Sequence, residues 1–218
     1  KFYQASTAGI FGQPLISPQT EDTPLKPTNP YAASKAYAHN LIENYRDSYG
    51  LFASSGIMYS LESPLRSNEF VTKKIINNLV LIKKNKKILF ELGNLNAVRD
   101  FGYVDDFVRA MWLMLQKKKP GDYIISTNKT CSVKKFIEIT CKELKIKLKW
   151  VGKGLNICGL NQKTNKIIIR INKNYFRPID VNYLQGNYNK AKKHLKWKPK
   201  FSLKDLIRIM IKFEIQNT

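Results

Sequence analysis

Phe2-Tyr3-Gln4-Ala5-Ser6-Thr7, followed by a helix-periodic run over residues 31–49 and then the apolar run 52–59, is the stretch whose order decides the fold. The first segment reads as a short buried strand, closed by Ala8-Gly9. Residues 12–30 are rich in Pro, Thr and Ser and read as a loop. In residues 31–49, Ala32, Ala33, Ala36, Tyr37, Leu41, Ile42 and Tyr45 can share one broad helical face. Gly50 supplies a helix stop. Residues 52–59 read as the next strand. Strand, helix, strand at this spacing is a βαβ unit, and such units build parallel sheets.

Working outward, residues 62–70 read as a loop, 71–84 as an amphipathic helix and 88–91 as a short strand. Residues 104–116 are helical, with Phe107, Met111, Leu113 and Met114 as apolar anchors. Residues 123–126 form a strand, and Ser132 caps a helix to about residue 144. Residues 148–151 and 166–171 read as strands, and 189–195 and 202–215 as closing helices, the last capped by Ser202. The fold class is α/β. Residues 1–60 read as the last units of a doubly wound parallel sheet. Residues 61–218 read mainly as a smaller mixed α/β domain, with some segments returning to the first sheet.

The chain opens at Lys1 directly into a strand, the pattern expected of a piece whose amino-terminal half lies upstream. A Gly-rich dinucleotide turn belongs on the first βα turn of a doubly wound fold, and no such motif occurs in these 218 residues. No apolar run reaches the length of a membrane helix, so no membrane partner is expected. Cys131, Cys141 and Cys158 lack zinc-site spacing and read as reduced thiols of a cytoplasmic protein. The net charge of +22 reads as a lysine bias spread over a solvated surface. No nucleic-acid-binding motif accompanies it, so no nucleic-acid partner is expected, and the charge favours approach of a nucleotide diphosphate.

Chemistry concentrates at Tyr31-Ala32-Ala33-Ser34-Lys35. Residues four apart lie one above the other on a helix face. An ammonium near a phenol favours its ionised form, and a phenol so tuned can take a proton from a sugar hydroxyl. Here the pair opens a helix after a Pro-rich loop, downstream of a strand ending Ser6-Thr7. That layout resembles the extended short-chain dehydrogenases, in which a Ser or Thr hydroxyl assists the tyrosine.

Further segments narrow the resemblance. Phe2 to Thr7, Pro30 to Lys35, Glu62-Ser63-Pro64 followed by Arg66, and Phe70 to Lys74 are similar to GDP-mannose 4,6-dehydratases. So are Leu92 to Leu95, Arg99 to Gly102, Ala110 to Gln116, Tyr175 to Pro178, Leu184 to Gly186 and Trp197 to Pro199. The resemblance implies a Rossmann-type NADP-binding domain, of which residues 1–60 are the carboxy-terminal units, and a nucleotide-sugar domain. It implies NADP-dependent oxidation of C4 of GDP-mannose or a related nucleotide sugar, loss of water across C5 and C6, and return of hydride to C6, as in GDP-fucose synthesis. Tyr31 would be the C4 base, Lys35 its tuner and a cofactor contact, and Thr7 the hydroxyl partner. Leu61 and Arg66 match cofactor positions, and a guanidinium suits a phosphate. Ser60, Lys74, Arg99, Arg177 and Asp180 match substrate positions. The resemblance also implies a homo-oligomer, dimer or tetramer, with residues 66–70 at the contact.

The match breaks at Gly9, which stands where the family carries the glutamate that removes the C5 proton. The loop acids Glu21 and Asp22 are the nearest carboxylates in sequence. Ser60-Leu61 replaces a family Asn-His, Leu65-Arg66-Ser67 replaces Arg-Arg-Gly, and Asp180 replaces a Glu. Two other readings therefore stay open: a 4-epimerase or reductase, for which Tyr, Thr and Lys suffice, and a catalytically silent binding or partner subunit.

Overall fold

The computed structural model describes residues 1–176 and 181–218, so Arg177 and Asp180 lie outside the described residues. The chain divides into two compact units. The first comprises Lys1–Leu61, Val98–Thr130 and Val181–Ser202; the second comprises Glu62–Ala97, Cys131–Asp180 and Leu203–Thr218.

The first unit is built on an all-parallel sheet in which Ala53–Met58 lies between Phe2–Thr7 and Tyr123–Ile125. Phe2 lies opposite Ala53, and the register runs without a break to Thr7 opposite Met58. Every residue of the central strand is buried, as expected of a parallel strand covered on both faces. Alternation sorts its side chains. Met58 joins Phe107, Met114, Tyr123, Ile125, Leu195 and Trp197 in one apolar cluster. Ile57 joins Ile10, Phe11, Ala36, Tyr59 and Ile124 in another. Gly56 leaves room for the Tyr3 side chain, since a Cβ there would sit 2.5 Å from the Tyr3 hydroxyl oxygen and force it to shift.

The helix expected over residues 31–49 spans Pro30–Tyr49. Its start is fixed by Asn29, whose side-chain oxygen accepts the Ala32 N–H at 2.8 Å, with Pro30 in the first turn. Gly50 ends it in the left-handed conformation at φ 65°. The expected apolar face needs correction. Ala32 and Ala36 are buried along with His39, whereas Tyr37, Leu41 and Tyr45 are exposed. The helix packs on the sheet through its smallest side chains, which allow close approach, and its large apolar residues point outward. Near its end, Arg46 forks onto the Asp122 carboxylate at 2.9 and 2.6 Å and also donates to Ala53 O. This pins the helix to the sheet by bidentate, charge-assisted bonds.

The second unit has a mixed sheet in the order Phe90–Leu92, Lys166–Ile171, Cys158–Asn161, Leu148–Val151. Only the pairing of Lys166–Ile171 with Phe90–Leu92 is parallel. Three helices, Val71–Lys83, Val133–Glu143 and Leu203–Asn217, pack on one another. Ser132 caps the second of them by accepting the Lys135 N–H at 3.1 Å.

Lys73 departs from the usual surface habit of lysine. It is 7% exposed, forms an ion pair with buried Glu214, and donates to Pro64 O at 2.6 Å. Removing one member leaves the other charged and desolvated. Lys73→Met is expected to lower unfolding free energy by about 3–5 kcal/mol, and adding Glu214→Leu recovers most of it. Urea unfolding of the single and double variants checks this.

Among the described residues, no helix is long and apolar enough to cross a membrane, and no cluster of three or more His, Cys, Asp or Glu side chains could hold a metal ion. The three cysteines are unpaired.

Candidate active site

The carboxyl ends of parallel strands are where doubly wound sheets hold ligands. Thr7 ends its strand at this edge and starts the 3-10 turn Ala8–Phe11. Its hydroxyl oxygen accepts the Gly9 N–H at 3.2 Å. That bond uses one lone pair, and no acceptor among the described residues takes the hydroxyl hydrogen. Thr7 can therefore donate to an incoming oxygen.

Lys35 reaches back to this strand. Its ammonium donates to Ala5 O at 3.0 Å, two residues before Thr7. The same nitrogen lies 6.0 Å from the centre of the Tyr31 ring. Tyr31 sits in the first helical turn, is 60% exposed, and its phenol oxygen makes no hydrogen bond to a described residue. The structure thus brings Thr7, Tyr31 and Lys35 to one end of the helix Pro30–Tyr49, with the ammonium between the ring and the strand.

Gly9 borders the same corner. A Cβ built there would lie 3.5 Å from Thr7 Cγ2 and 3.6 Å from Ala32 Cβ, ordinary contact distances. Its backbone is not left-handed, so glycine is not needed for the turn. Gly12 is the opposite case: at φ 59°, a Cβ would meet Lys26 O at 1.9 Å. Glu21 does not replace the missing carboxylate. Its Oε1 accepts the Ile124 N–H at 2.8 Å, and burial pushes its carboxyl above the usual range. It serves the backbone of the third strand.

Ser60 follows the central strand and donates its N–H to Asp100 O at 3.1 Å. Leu61 packs, half-buried, against the Met58 cluster. Arg99 precedes Asp100 and donates to Val98 O at 2.9 Å. Arg66 and Lys74 belong to the second unit. There Arg66 lies 3.4 Å from the Glu62 carboxylate and 3.6 Å over the Phe70 ring, while Lys74 lies 3.7 Å over the Tyr175 ring. Stacking holds both cations in place through contacts worth about 0.5–2 kcal/mol. Glu62 is buried and accepts the Thr72 hydroxyl at 2.5 Å, which anchors the Arg66 loop to the helix Val71–Lys83.

Several contributors escaped the sequence reading. The Ala5 carbonyl, the Asn29 cap and the supporting rings of Phe70 and Tyr175 were not singled out. The Asn29-Pro30 pair carries a cap-plus-first-turn signal. Phe70 stands four residues after Arg66, but a carbonyl ligand for Lys35 leaves no mark in a sequence.

Asp100 gives a pH prediction. It is fully buried, and burial pushes its carboxyl up to about 6 from an ordinary 3.8, against hydrogen bonds from Thr127, Asn128 and Gly186. Folded Asp100 therefore holds its proton to higher pH than the unfolded chain does. Its contribution to stability is full below the ordinary carboxylate value and is lost as pH rises through about 6. Between about pH 4 and pH 6 the natural protein should lose roughly 3 kcal/mol relative to Asp100→Asn, measured as the difference between their unfolding free energies.

Comparison with known proteins places this corner in context. Residues 1–210 match the GDP-mannose 4,6 dehydratase family. The chain is 42% identical to the GDP-mannose 4,6 dehydratase of Drosophila melanogaster over 99% of its own length and 55% of that protein. It is 43% identical to the Dictyostelium discoideum enzyme, again over 99% of itself and 61% of the relative. The chain thus spans little more than half the length of these relatives. Among solved structures, RMD from Pseudomonas aeruginosa complexed with NADPH superposes with a TM-score of 0.83 at 18% identity, covering 100% of this chain and 67% of that one. The dTDP-glucose 4,6-dehydratase of Bacillus anthracis in complex with NAD gives 0.81 at 21% identity, covering 100% and 62%. These likenesses establish the Rossmann-type α/β fold. Because the family match runs from the first strand into the last helix, the chain belongs to the GDP-mannose 4,6 dehydratase family.

Proposed function

We propose that the protein acts on GDP-mannose or a closely related nucleotide sugar, oxidising C4 with NADP as the first step of a 4,6-dehydratase reaction. The observation that carries this reading is the Lys35 ammonium, held on Ala5 O and facing the Tyr31 ring at the strand end that presents Thr7. Ala5 O is the one hydrogen-bond partner of that ammonium among the described residues, so its other N–H groups suit the hydroxyls of a cofactor ribose. NADP, when bound, supplies the hydride acceptor. Tyr31 takes the proton of the C4 hydroxyl as hydride leaves that carbon. Thr7 donates its hydroxyl hydrogen to the same oxygen and holds it in line. Lys35, held on Ala5 O beside the Tyr31 ring, would hold the ribose of a bound cofactor. Arg66 and Lys74, held on aromatic rings, are assigned to phosphate groups, as are Arg99 and the undescribed Arg177; Ser60, Leu61 and Asp180 keep the roles the family resemblance gives them.

Elimination of water needs a base at C5, and Gly9 offers none. This favours a second reading, in which the chemistry halts at the C4 ketone or ends as epimerisation or reduction there. Incubation of the protein, expressed from its whole reading frame, with NADP and GDP-mannose tests the proposal. A 4-keto-6-deoxy product supports the dehydratase, and a 4-keto sugar with an equivalent of reduced cofactor, or a C4 epimer, supports the second reading. Binding without any turnover would leave a silent subunit and refute the catalytic assignment. A cytoplasmic site of action and a homo-oligomer with residues 66–70 at the contact complete the proposal; sedimentation of the natural protein tests the latter.

A further inference from the structure

The lysines of the first unit are not evenly spread. Lys192, Lys193, Lys196 and Lys198 line one concavity of about 590 Å³ with Asn189 and Trp197. All four are exposed, and none forms an ion pair with a carboxylate among the described residues. Most lysines of the chain likewise lack a carboxylate partner among the described residues, Lys73, Lys135 and Lys204 being exceptions; these four differ in lining one concavity.

The scaffold beneath these lysines is fixed. Their helix, Asn189–Leu195, stops at Lys196, whose left-handed backbone at φ 55° turns the chain back on itself. Trp197 is fully buried and donates its indole N–H to Asp106 O at 2.8 Å. Arg109 donates to Lys198 O at 2.6 Å, and the Asp106 carboxylate accepts the N–H groups of Lys200 and Phe201. Asp106, the carboxylate that reaches this segment, is buried and committed to those bonds and to Arg109. Lys117 donates to His194 O at 2.8 Å, which brings a further ammonium to the end of this helix. The partial negative charge of a helix carboxyl end amounts to roughly half an elementary charge, too little to balance four ammonium groups.

We propose that this concavity is a separate binding site for a compact oligophosphate, carried free or as the tail of a nucleotide. Four ammonium groups on one short helix and the turn that follows it repel one another until an anion joins them. A chain of linked phosphates presents several charges over a short span. The concavity of about 590 Å³ can hold such a compact anion.

Calorimetric titration of the 218-residue protein with inorganic triphosphate tests the site. One ion per chain should bind, more weakly as salt rises. Lys192→Gln/Lys196→Gln/Lys198→Gln should weaken it by about tenfold or more. Lys83→Gln/Lys87→Gln/Lys163→Gln removes equal charge from exposed positions elsewhere and should change affinity less than about twofold. Single variants Lys192→Gln and Lys198→Gln, each expected to show part of the loss, keep the test valid if the triple variant fails to fold. Adenosine triphosphate in parallel separates the carriers: loss of both ligands in the triple variant assigns recognition to the phosphates. Absence of saturable binding, equal loss in the control variant, or binding of a nucleotide or a short single-stranded RNA without the inorganic ion would overturn the proposal.

Discussion

Tyr31→Phe is expected to lower sugar-dependent reduction of NADP by about 100- to 10,000-fold, the span typical of a lost general base. The substitution is clean. Among the described residues the phenol oxygen has no hydrogen bond to lose, and the ring is 60% exposed, so the variant should unfold at nearly the same denaturant concentration as the natural protein. Affinity for the nucleotide sugar should change little, because the hydroxyl is placed for proton transfer rather than for grip. Stopped-flow absorbance of the reduced cofactor reads the chemical step, and sugar binding measured separately shows whether the loss lies in catalysis. An equal fall in binding and rate would mean that Tyr31 only holds the ligand.

Gly9→Glu should act in the opposite direction. If the missing carboxylate is the main obstacle to elimination, restoring it should raise formation of the 4-keto-6-deoxy sugar by about 100- to 10,000-fold. The structure permits the change, since a Cβ meets its neighbours at 3.5 Å or more and the backbone suits any residue. The side chain would start beside Thr7 and Ala32, next to Tyr31 in the chain. Replacing glycine also removes freedom from the unfolded chain, a gain of about 0.4–1 kcal/mol at compatible positions. Gly9→Gln is the control: similar size, no base, and no rise in dehydration. Equal activity in both variants would show that bulk at position 9, not a carboxylate, matters.

Much of the fold was legible because its elements are long and periodic. The strand Phe2–Thr7 and the helices beginning at Val71 and Val104 stand where the sequence puts them, although Ser6 alone is buried in a strand expected to be buried throughout. The short strands Ser60–Glu62, Phe101–Tyr103 and Cys158–Asn161 are not evident in the sequence, since three or four residues display little periodicity. The face of the helix Pro30–Tyr49 was misjudged for a different reason. Apolar size pointed to Tyr37, Leu41 and Tyr45, but packing chose Ala32 and Ala36. Lys73 reads as a surface charge, and only the fold reveals Glu214 beside it.

The corner proposed as catalytic was marked in the sequence by Tyr31 and Lys35, because their spacing places both on one helix face. What the sequence cannot carry is the anchor for that ammonium on Ala5 O, or the closeness of Thr7 and Ala32 to position 9. Arg66 and Lys74 were legible as cations but not as cations seated on Phe70 and Tyr175.

The central claim is that Tyr31, with Lys35 and Thr7, removes a proton from the C4 hydroxyl while the hydrogen on C4 departs as hydride. GDP-mannose deuterated at C4 tests it most directly, with the protein expressed from its whole reading frame and NADP present. Mass spectrometry should find deuterium on the reduced cofactor or returned to the sugar at a new carbon, and Tyr31→Phe should suppress that transfer. Deuterium that stays on C4 with its configuration unchanged, and none on the cofactor, while the sugar is demonstrably bound would contradict the account.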